Sequence, residues 1–356
     1  MENTSQISFD GASCPIPLPH NKTIVMGHGS GGKMTEDLIK QVFQKHFSNP
    51  FLNAGNDFAL LPMQGNDLQL SVSTDAHIIF PLTFPGGDIG RLAICGTVND
   101  MSMSGATPLY ITASFILEEG LEINLLEKIV ISMKEAALEA GVTIVAGDTK
   151  VVEKGKGDGI FISTTGIARL TRQVQINGSN AHPGDVVIIS GTIGDHGIAV
   201  LDARGDLGIK TNIESDVAPL NHLISEILEV APETHVLRDP TRGGLATTLN
   251  EIAKQSKVGI IIHEEKIPVL QAVKSACELL GFDPLYIANE GKLIVIAPEN
   301  KRNAIISKMQ NSKYGKNAIV IGEIIEKNPG RVILKTEIGT SRIVDVMAGE
   351  MLPRIC

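Results

Sequence analysis

The sequence predicts a two-domain α/β protein, and three observations carry that prediction. The 356 residues are 43% hydrophobic and 20% charged, which supplies sizeable cores at a length that fits two domains. Residues 22 to about 170 alternate β-branched runs with stretches of helical apolar spacing. A polar run, "TRQVQINGSNAHPGD", then acts as a hinge before a second series that opens with "VVIISG".

Residues 1–21 read as an irregular arm. "KTIVM" is a short strand candidate, followed by a glycine-rich loop, "GHGSGGKMT". "MTEDLIKQVFQKHF" sets Leu38, Ile39, Val42, Phe43 and Phe47 at helical spacing. "LQLSVSTD" is a strand ending on Asp75. "GGDIGRLAICGTVNDMSMSGA" predicts a helix rich in small residues and a turn at Gly105, and "LYITASFIL" a strand. "INLLEKIVISMKEAALEAG" is a helix with Gly141 as its stop, because glycine accepts the left-handed conformation that closes a helix. "VTIVAGD" and "GIFISTTGIARL" complete the strands of the first unit. In the second unit helices are expected at 195–203, 217–229, 243–256, 267–280 and 299–311. Strands are expected at 258–263, 292–297, 317–322, 331–336 and 342–346. The last ten residues have no sustained period and contain Gly349 and Pro353. The expected organisation is therefore an arm at 1–21, domains at 22–170 and 171–346, and a mobile tail at 347–356.

The 31 basic and 40 acidic residues give a net charge of −9, which argues against nucleic acid or an anionic membrane as a partner. Trp is absent and aromatics total 4%, too few for a base-stacking surface. There is no 18-residue apolar run and no basic, apolar leader, so neither a membrane span nor a signal peptide is expected. Cys14, Cys95, Cys277 and Cys356 are scattered, without metal spacing, and suit a reduced cytoplasm. The final cysteine is not a prenylation signal, which needs Cys four residues from the end.

The glycine loop matches two phosphate-binding patterns by spacing. Gly27, Gly29 and Gly32 fit G-x-G-x-x-G, and Gly27, Gly32 and Lys33 fit most of the P-loop. Both matches fail on chemistry. Met34 stands where the P-loop needs a hydroxyl for Mg²⁺, and Asp57, in "NAGNDF", is no strand-end ribose ligand. The loop then reads either as a cover for a polyphosphate, with His28 and Lys33, or as a plain solvent loop.

Several acids stand at strand ends or beside glycines: Asp75, Asp88, Asp100 beside Asn99, Asp148 and Asp239. Such acids face the ligand crevice of an α/β sheet, and Mg²⁺ takes carboxylate and water oxygens. Each alone also reads as a cap or turn former. Lys150 is a phosphate ligand or a solvated lysine, and Glu290 a general base or a turn acid. The histidines show no ligand spacing, so His77, His196, His235 and His263 receive no metal role.

"HGSGGK", "STDAHIIFPLTFPGGDIGRLAICGTVNDMSMSGATPLY", "AGDTKVV", "DPTRGGLA", "ANEGK" and the terminal "PRIC" together resemble the HypE family of hydrogenase-maturation proteins. The resemblance runs from about residue 22 to the end. It implies the two-domain, α+β-like synthetase fold of aminoimidazole ribonucleotide synthetase and selenophosphate synthetase, with the N-terminal sheet domain pairing in a homodimer. It implies ATP and Mg²⁺ near that pairing, and ATP-dependent dehydration of an S-carbamoyl group on Cys356 to a thiocyanate. A carbamoyltransferase, HypF, would load the thiol, and a HypC–HypD complex would receive the cyanide for the iron of [NiFe]-hydrogenase.

On this resemblance Gly29, Gly31, Gly32 and Lys33 cover the phosphates, and Asp75, Asn99, Asp100, Asp148 and Asp239 bind the nucleotide, the four aspartates through Mg²⁺. Lys150 stabilises the transferred phosphoryl group and Glu290 is the base. Arg242 is a phosphate contact or, preferably, a structural pair for Asp239. Ten extended residues span roughly 33–36 Å, enough for the tail to enter a cleft. The nearby α-carboxylate disfavours the Cys356 thiolate, so activation of the thiol falls to the loading partner.

Overall fold

The computed structural model describes residues 23–63, 68–171, 173–205, 208, 211–347 and 355. Helix α1 (Lys33–Leu38) runs through a π-helical stretch, Ile39–Gln44, into α2 (Lys45–Phe47), and Asn49 caps the short α3 (Pro50–Asn53). The first domain follows with β1 (Ala59–Pro62), β2 (Gln69–His77), the ribbon β3 (Thr83–Phe84) and β4 (Gly87–Asp88), α4 (Ile89–Ser102), β5 (Thr107–Glu118), α5 (Ile123–Ala140), β6 (Thr143–Val152) and β7 (Ile160–Leu170). The sheet order is β1-β2-β7-β5-β6. Only the β5–β6 pair is parallel, and α5 supplies its crossover.

Helix α4 begins where Asp88 Oδ1 accepts from Arg91 N at 2.9 Å. It lies between the sheet and α5, so its apolar residues are buried on every side: Ile89, Leu92, Ile94, Val98 and Met101 have no exposure. Small residues make this possible. A Cβ on Gly90 would sit 2.5 Å from Ile129 O on α5, and one on Gly166 of β7 2.3 Å from the Met101 methyl.

The second domain contains β8 (Asp185–Ile189), α6 (Asp195–Arg204), α7 (Asn221–Val230), β9 (Val236–Arg238), α8 (Gly244–Ser256), β10 (Gly259–His263), α9 (Gln271–Leu280), β11 (Ile294–Pro298), α10 (Arg302–Gln310), β12 (Ile319–Ile325), β13 (Arg331–Lys335) and β14 (Ser341–Val344). Its sheet runs β14-β13-β10-β12-β8-β11-β9. Val187, Ile189, Ile294 and Ile296 pack on α8, while Val186, Ile188 and Val295 pack on α7 and α10. Burial on both faces explains the unbroken apolar runs "VVII" and "LIVIA".

Four readings differ from the sequence expectation. Within "KTIVM", Lys22 lies outside the described residues and Met26–Gly29 form a 3₁₀ turn. Ile24 and Met26 stay exposed, with no face to bury against. The helix expected from 217 starts at Asn221, because Val217–Leu220 run along the first domain, where Asn99 Oδ1 accepts from Leu220 N at 2.8 Å. The helices expected from 267 and 299 start at Gln271 and Arg302, after Pro268 and a 3₁₀ turn respectively. β1, α3, the β3–β4 ribbon and β9 went unpredicted because each has four residues or fewer. Of the tail expected to be mobile, Met347 and Ile355 are described, and Cys356 lies outside the described residues. Ile355 is buried and makes an antiparallel bridge to Ile79.

Candidate functional site

Three segments bring carboxylates to one cleft. β2 presents Asp75, whose Oδ2 lies 3.8 Å from His77 Nε2. The neighbouring turn of α4 carries Gly96, where a Cβ would stand 3.7 Å from that same oxygen. One turn further along, Asp100 Oδ2 accepts from Ser73 Oγ at 2.8 Å, and Ser73 Oγ is also 2.8 Å from Asp57 O. Asp239 follows β9 at the turn into α8. Arg238, one residue earlier, forms ion pairs with Asp57 at 2.7 Å and Glu251 at 2.6 Å.

These acids strain against one another. Burial lifts Asp100 well above the ordinary carboxylate range, and Asp239, Asp57 and Asp75 lift it further. Asp239 is pushed up to about 7, chiefly by burial and then by Asp57. Burial raises Asp57 as well, with Arg238 opposing. Like charges held this close create a demand for a cation, and oxygen-only donors suit a hard divalent ion. Asp57, set aside as a ribose ligand in the sequence reading, belongs to this group. The signal was an acid in a turn directly before a strand.

The glycine loop lies against the segment that follows Asp239. Gly31 adopts φ +77°, and a Cβ there would fall 3.0 Å from Arg242 Cβ. Gly32 faces Met347 O, which also accepts from Lys33 N at 3.2 Å. Gly29 O accepts from Arg242 Nη1 at 3.4 Å. Arg242 thus reaches the glycine loop, and Arg238 is a cation that lowers Asp239.

Glu290 enters from the second domain. Its backbone N donates to Asp216 Oδ1 at 3.0 Å, and Asp216 pairs with Lys292 at 3.1 Å. The side chain is 4% exposed, and among the described residues Oε1 has no hydrogen-bond partner. Burial, Asp216, Asp239 and Asp75 all hold its pKa well above the ordinary range. Asn99, expected at the nucleotide, is used differently. Its amide donates to Ala218 O at 3.0 Å and Glu290 O at 3.4 Å, and its Oδ1 holds Leu220. It ties the two domains together from a buried position instead of lining the cleft.

Ile355 is held by His196 of α6. His196 Nε2 lies 2.6 Å from Ile355 O and Nδ1 2.7 Å from Ser215 Oγ. Burial lowers the pKa of His196, so the neutral ring accepts from Ser215 and donates to Ile355. Ile355 shares its apolar cluster with Ile79, Phe84, Val217 and Ala288, the last of which lies two residues before Glu290 in sequence. His196 received no role from the sequence, because only the fold brings residue 355 to it.

Asp148 and Lys150 lie apart from this cleft. Asp75 pairs with Thr164, Thr164 with Ala113 and Ala113 with Gly147. Three strand spacings put Asp148 about 14 Å from Asp75, so within one chain they cannot share an ion. Asp148 and Lys150 instead pair with each other, exposed on β6, at 2.7 Å. A groove of about 480 Å³ lies elsewhere, under α9 beside Cys277, Phe282 and Arg342, and contains none of the cleft carboxylates.

Two families match the chain: "AIR synthase related protein, N-terminal domain" over residues 55–170 and "AIR synthase related protein, C-terminal domain" over 182–335. The carbamoyl dehydratase HypE of Cupriavidus necator is 52% identical over 333 residues, covering 94% of this chain and 95% of its own. A crystal structure of a HypE–HypF complex superposes with a TM-score of 0.83 at 53% identity, covering 87% of this chain and 99% of that one. A crystal structure of the hydrogenase maturation protein HypE in complex with ATP gives a TM-score of 0.78 at 46% identity, covering 94% and 100%.

Proposed function

This chain belongs to the HypE family of carbamoyl dehydratases, and from that membership we propose which of its residues carry the ATP-dependent dehydration of an S-carbamoyl group on Cys356. The observation that carries the assignment is the seat of Ile355. His196 holds the peptide carbonyl of Ile355 and bonds Ser215. The neighbouring Asp216 accepts from the backbone N of Glu290, a residue whose Oε1 is buried without a hydrogen-bond partner among the described residues.

The chemistry follows from the bonds. The carbamoyl oxygen forms a bond to the γ-phosphorus of ATP as the bond to ADP breaks, which turns a poor leaving group into phosphate. The C–O bond then breaks as both N–H protons leave, one to the departing phosphate and one to a base, giving S–C≡N and hydrogen phosphate. Glu290 is that base; burial and the neighbouring Asp216, Asp239 and Asp75 raise its affinity for a proton. The oxygen donors of Asp57, Asp75, Asp100 and Asp239 fit Mg²⁺, which when bound neutralises phosphate charge. The glycine loop, with Gly29, Gly31, Gly32 and Lys33, covers the phosphates, and Arg242 fixes its path.

The test is the intact mass of the C-terminal peptide after incubation with HypF, carbamoyl phosphate and ATP. The carbamoylated peptide is expected to lose about 18 Da, one water, only when ATP is present, by the stoichiometry of the reaction. Persistence of the carbamoyl form with ATP bound would sink the reading. In the same reading HypF loads the thiol, a HypC–HypD complex accepts the cyano group, and the reaction runs in the cytoplasm.

Pairing of two copies completes this proposal. α4 covers one face of the first sheet. The other face exposes Tyr110 and Ile116 of β5, and the edge strand β6 exposes Ile144, Val145 and Val151. A ten-residue apolar edge left open is a pairing surface. Asp148 and Lys150 then serve the cleft of the second copy, which accounts for their distance from Asp75. Ile116→Glu is expected to convert the dimer to monomer by light scattering and to lower turnover with it. A fully active monomer would separate the pairing from the chemistry.

A further inference from the structure

We propose that His182, Asp185 and His235 form a site for a borderline divalent cation such as Zn²⁺, distinct from the Mg²⁺ cleft. Asp185 opens β8, pairs across β11 with Pro298 and is buried. His235 directly precedes β9, and its N donates to Ile296 O at 3.0 Å. The sheet thus brings residues fifty positions apart to either side of β11. His182, exposed, caps the group from the loop before β8, where its N donates to Asp185 Oδ2 at 2.7 Å.

Three donor atoms converge, each within 4.8 Å of the others. His182 Nδ1 and His235 Nδ1 face each other at 3.3 Å, and His235 Nδ1 lies 2.8 Å from Asp185 Oδ2. At a Zn–N distance of about 2.0–2.1 Å, neighbouring ligands of a tetrahedral ion lie about 3.3–3.4 Å apart. The two imidazoles already stand at that spacing, and the carboxylate needs to open by only a few tenths of an ångström. Without an ion, one proton must serve an Nδ1–Nδ1 contact and a carboxylate together. The donor set also separates this site from the cleft. Two imidazoles and one carboxylate select zinc, nickel or cobalt, whereas the cleft offers carboxylates alone. Four residues of nearly extended chain, about 13 Å, separate His235 from Asp239. A bound ion would therefore brace β8, β11 and β9 at the end opposite the cleft.

The test uses the full chain, stripped with chelator and free of nucleotide, in equilibrium dialysis against Zn²⁺. One zinc per chain is expected, with affinity falling at least about tenfold in His182→Gln and in His235→Gln. Because His182 is exposed, its variant tests the site without disturbing the core. Co²⁺ substitution gives a second readout: an intense tetrahedral visible spectrum lacking a thiolate charge-transfer band supports the site. Unchanged zinc binding in both variants overturns it. So does a cobalt spectrum dominated by thiolate, which assigns the metal to a cysteine.

Discussion

Glu290→Gln is expected to leave Cys356 carbamoylated and to slow its dehydration by about 10²–10⁴-fold, the contribution of a positioned general base. Glutamine keeps the volume of the buried side chain and the backbone bonds to Asp216, so the cleft should hold its shape. What disappears is the ability to take a proton. The parent carboxyl is held high by burial and by Asp216, Asp239 and Asp75. Its dehydration rate should therefore climb with pH as Glu290 ionises, and the variant should lose that limb. Stopped incubations read by peptide mass, alongside nucleotide-binding titrations, check both points. Dehydration within about tenfold of the parent rate would remove Glu290 from the base role.

Asp100→Asn is expected to move stability and ligand binding in opposite directions. Asp100 is raised by burial and by three neighbouring carboxylates, so its charged form costs the ligand-free protein free energy. A carboxyl whose folded pKa is raised stabilises the fold at low pH, and that stabilisation is lost as pH rises through the folded value. For Asp239 the window runs from the ordinary 3.8 to about 7. The nucleotide-free chain should accordingly lose stability between those values, and Asp100→Asn should flatten the loss and raise the melting temperature near neutral pH. Mg²⁺–nucleotide affinity should fall by at least about a hundredfold, beyond what loss of a supporting partner costs a metal ligand. Thermal melts with and without Mg²⁺–ATP across this pH range read both quantities. A variant that is destabilised and still binds would show that Asp100 is a structural acid.

In the proposed reading Ile355, held beside His196, leads to the cysteine that carries the carbamoyl group. A thiol on a packed strand cannot visit a loading enzyme and an acceptor. Among the described residues, Ile355 is held by the hydrogen bond from His196, the antiparallel bridge to Ile79 and its apolar cluster.

The alternating segments were legible in the sequence because local periodicity survives tertiary packing. The α4 and α5 helices, the longer strands of both sheets and the αL stop at Gly141 all follow from residues within one turn or one strand. The carboxylates at strand ends and turns were legible for the same reason, since an acid there faces a crevice. Three things belonged to the tertiary structure. Asn99 adjoins Asp100, and the helical step of about 100° turns it to a neighbouring side, where it holds Leu220 N and the backbone carbonyl of Glu290. Asp148 read as one more strand-end acid, and only the strand order places it three strands from Asp75. His196 and Arg238 gave no local sign, because their partners lie 159 positions away at Ile355 and far upstream at Asp57. Sequence by itself determined which groups this chain has for binding phosphate and moving protons. The fold decided which of them meet, because meeting depends on strand order and helix rotation, and neither is written in any single segment.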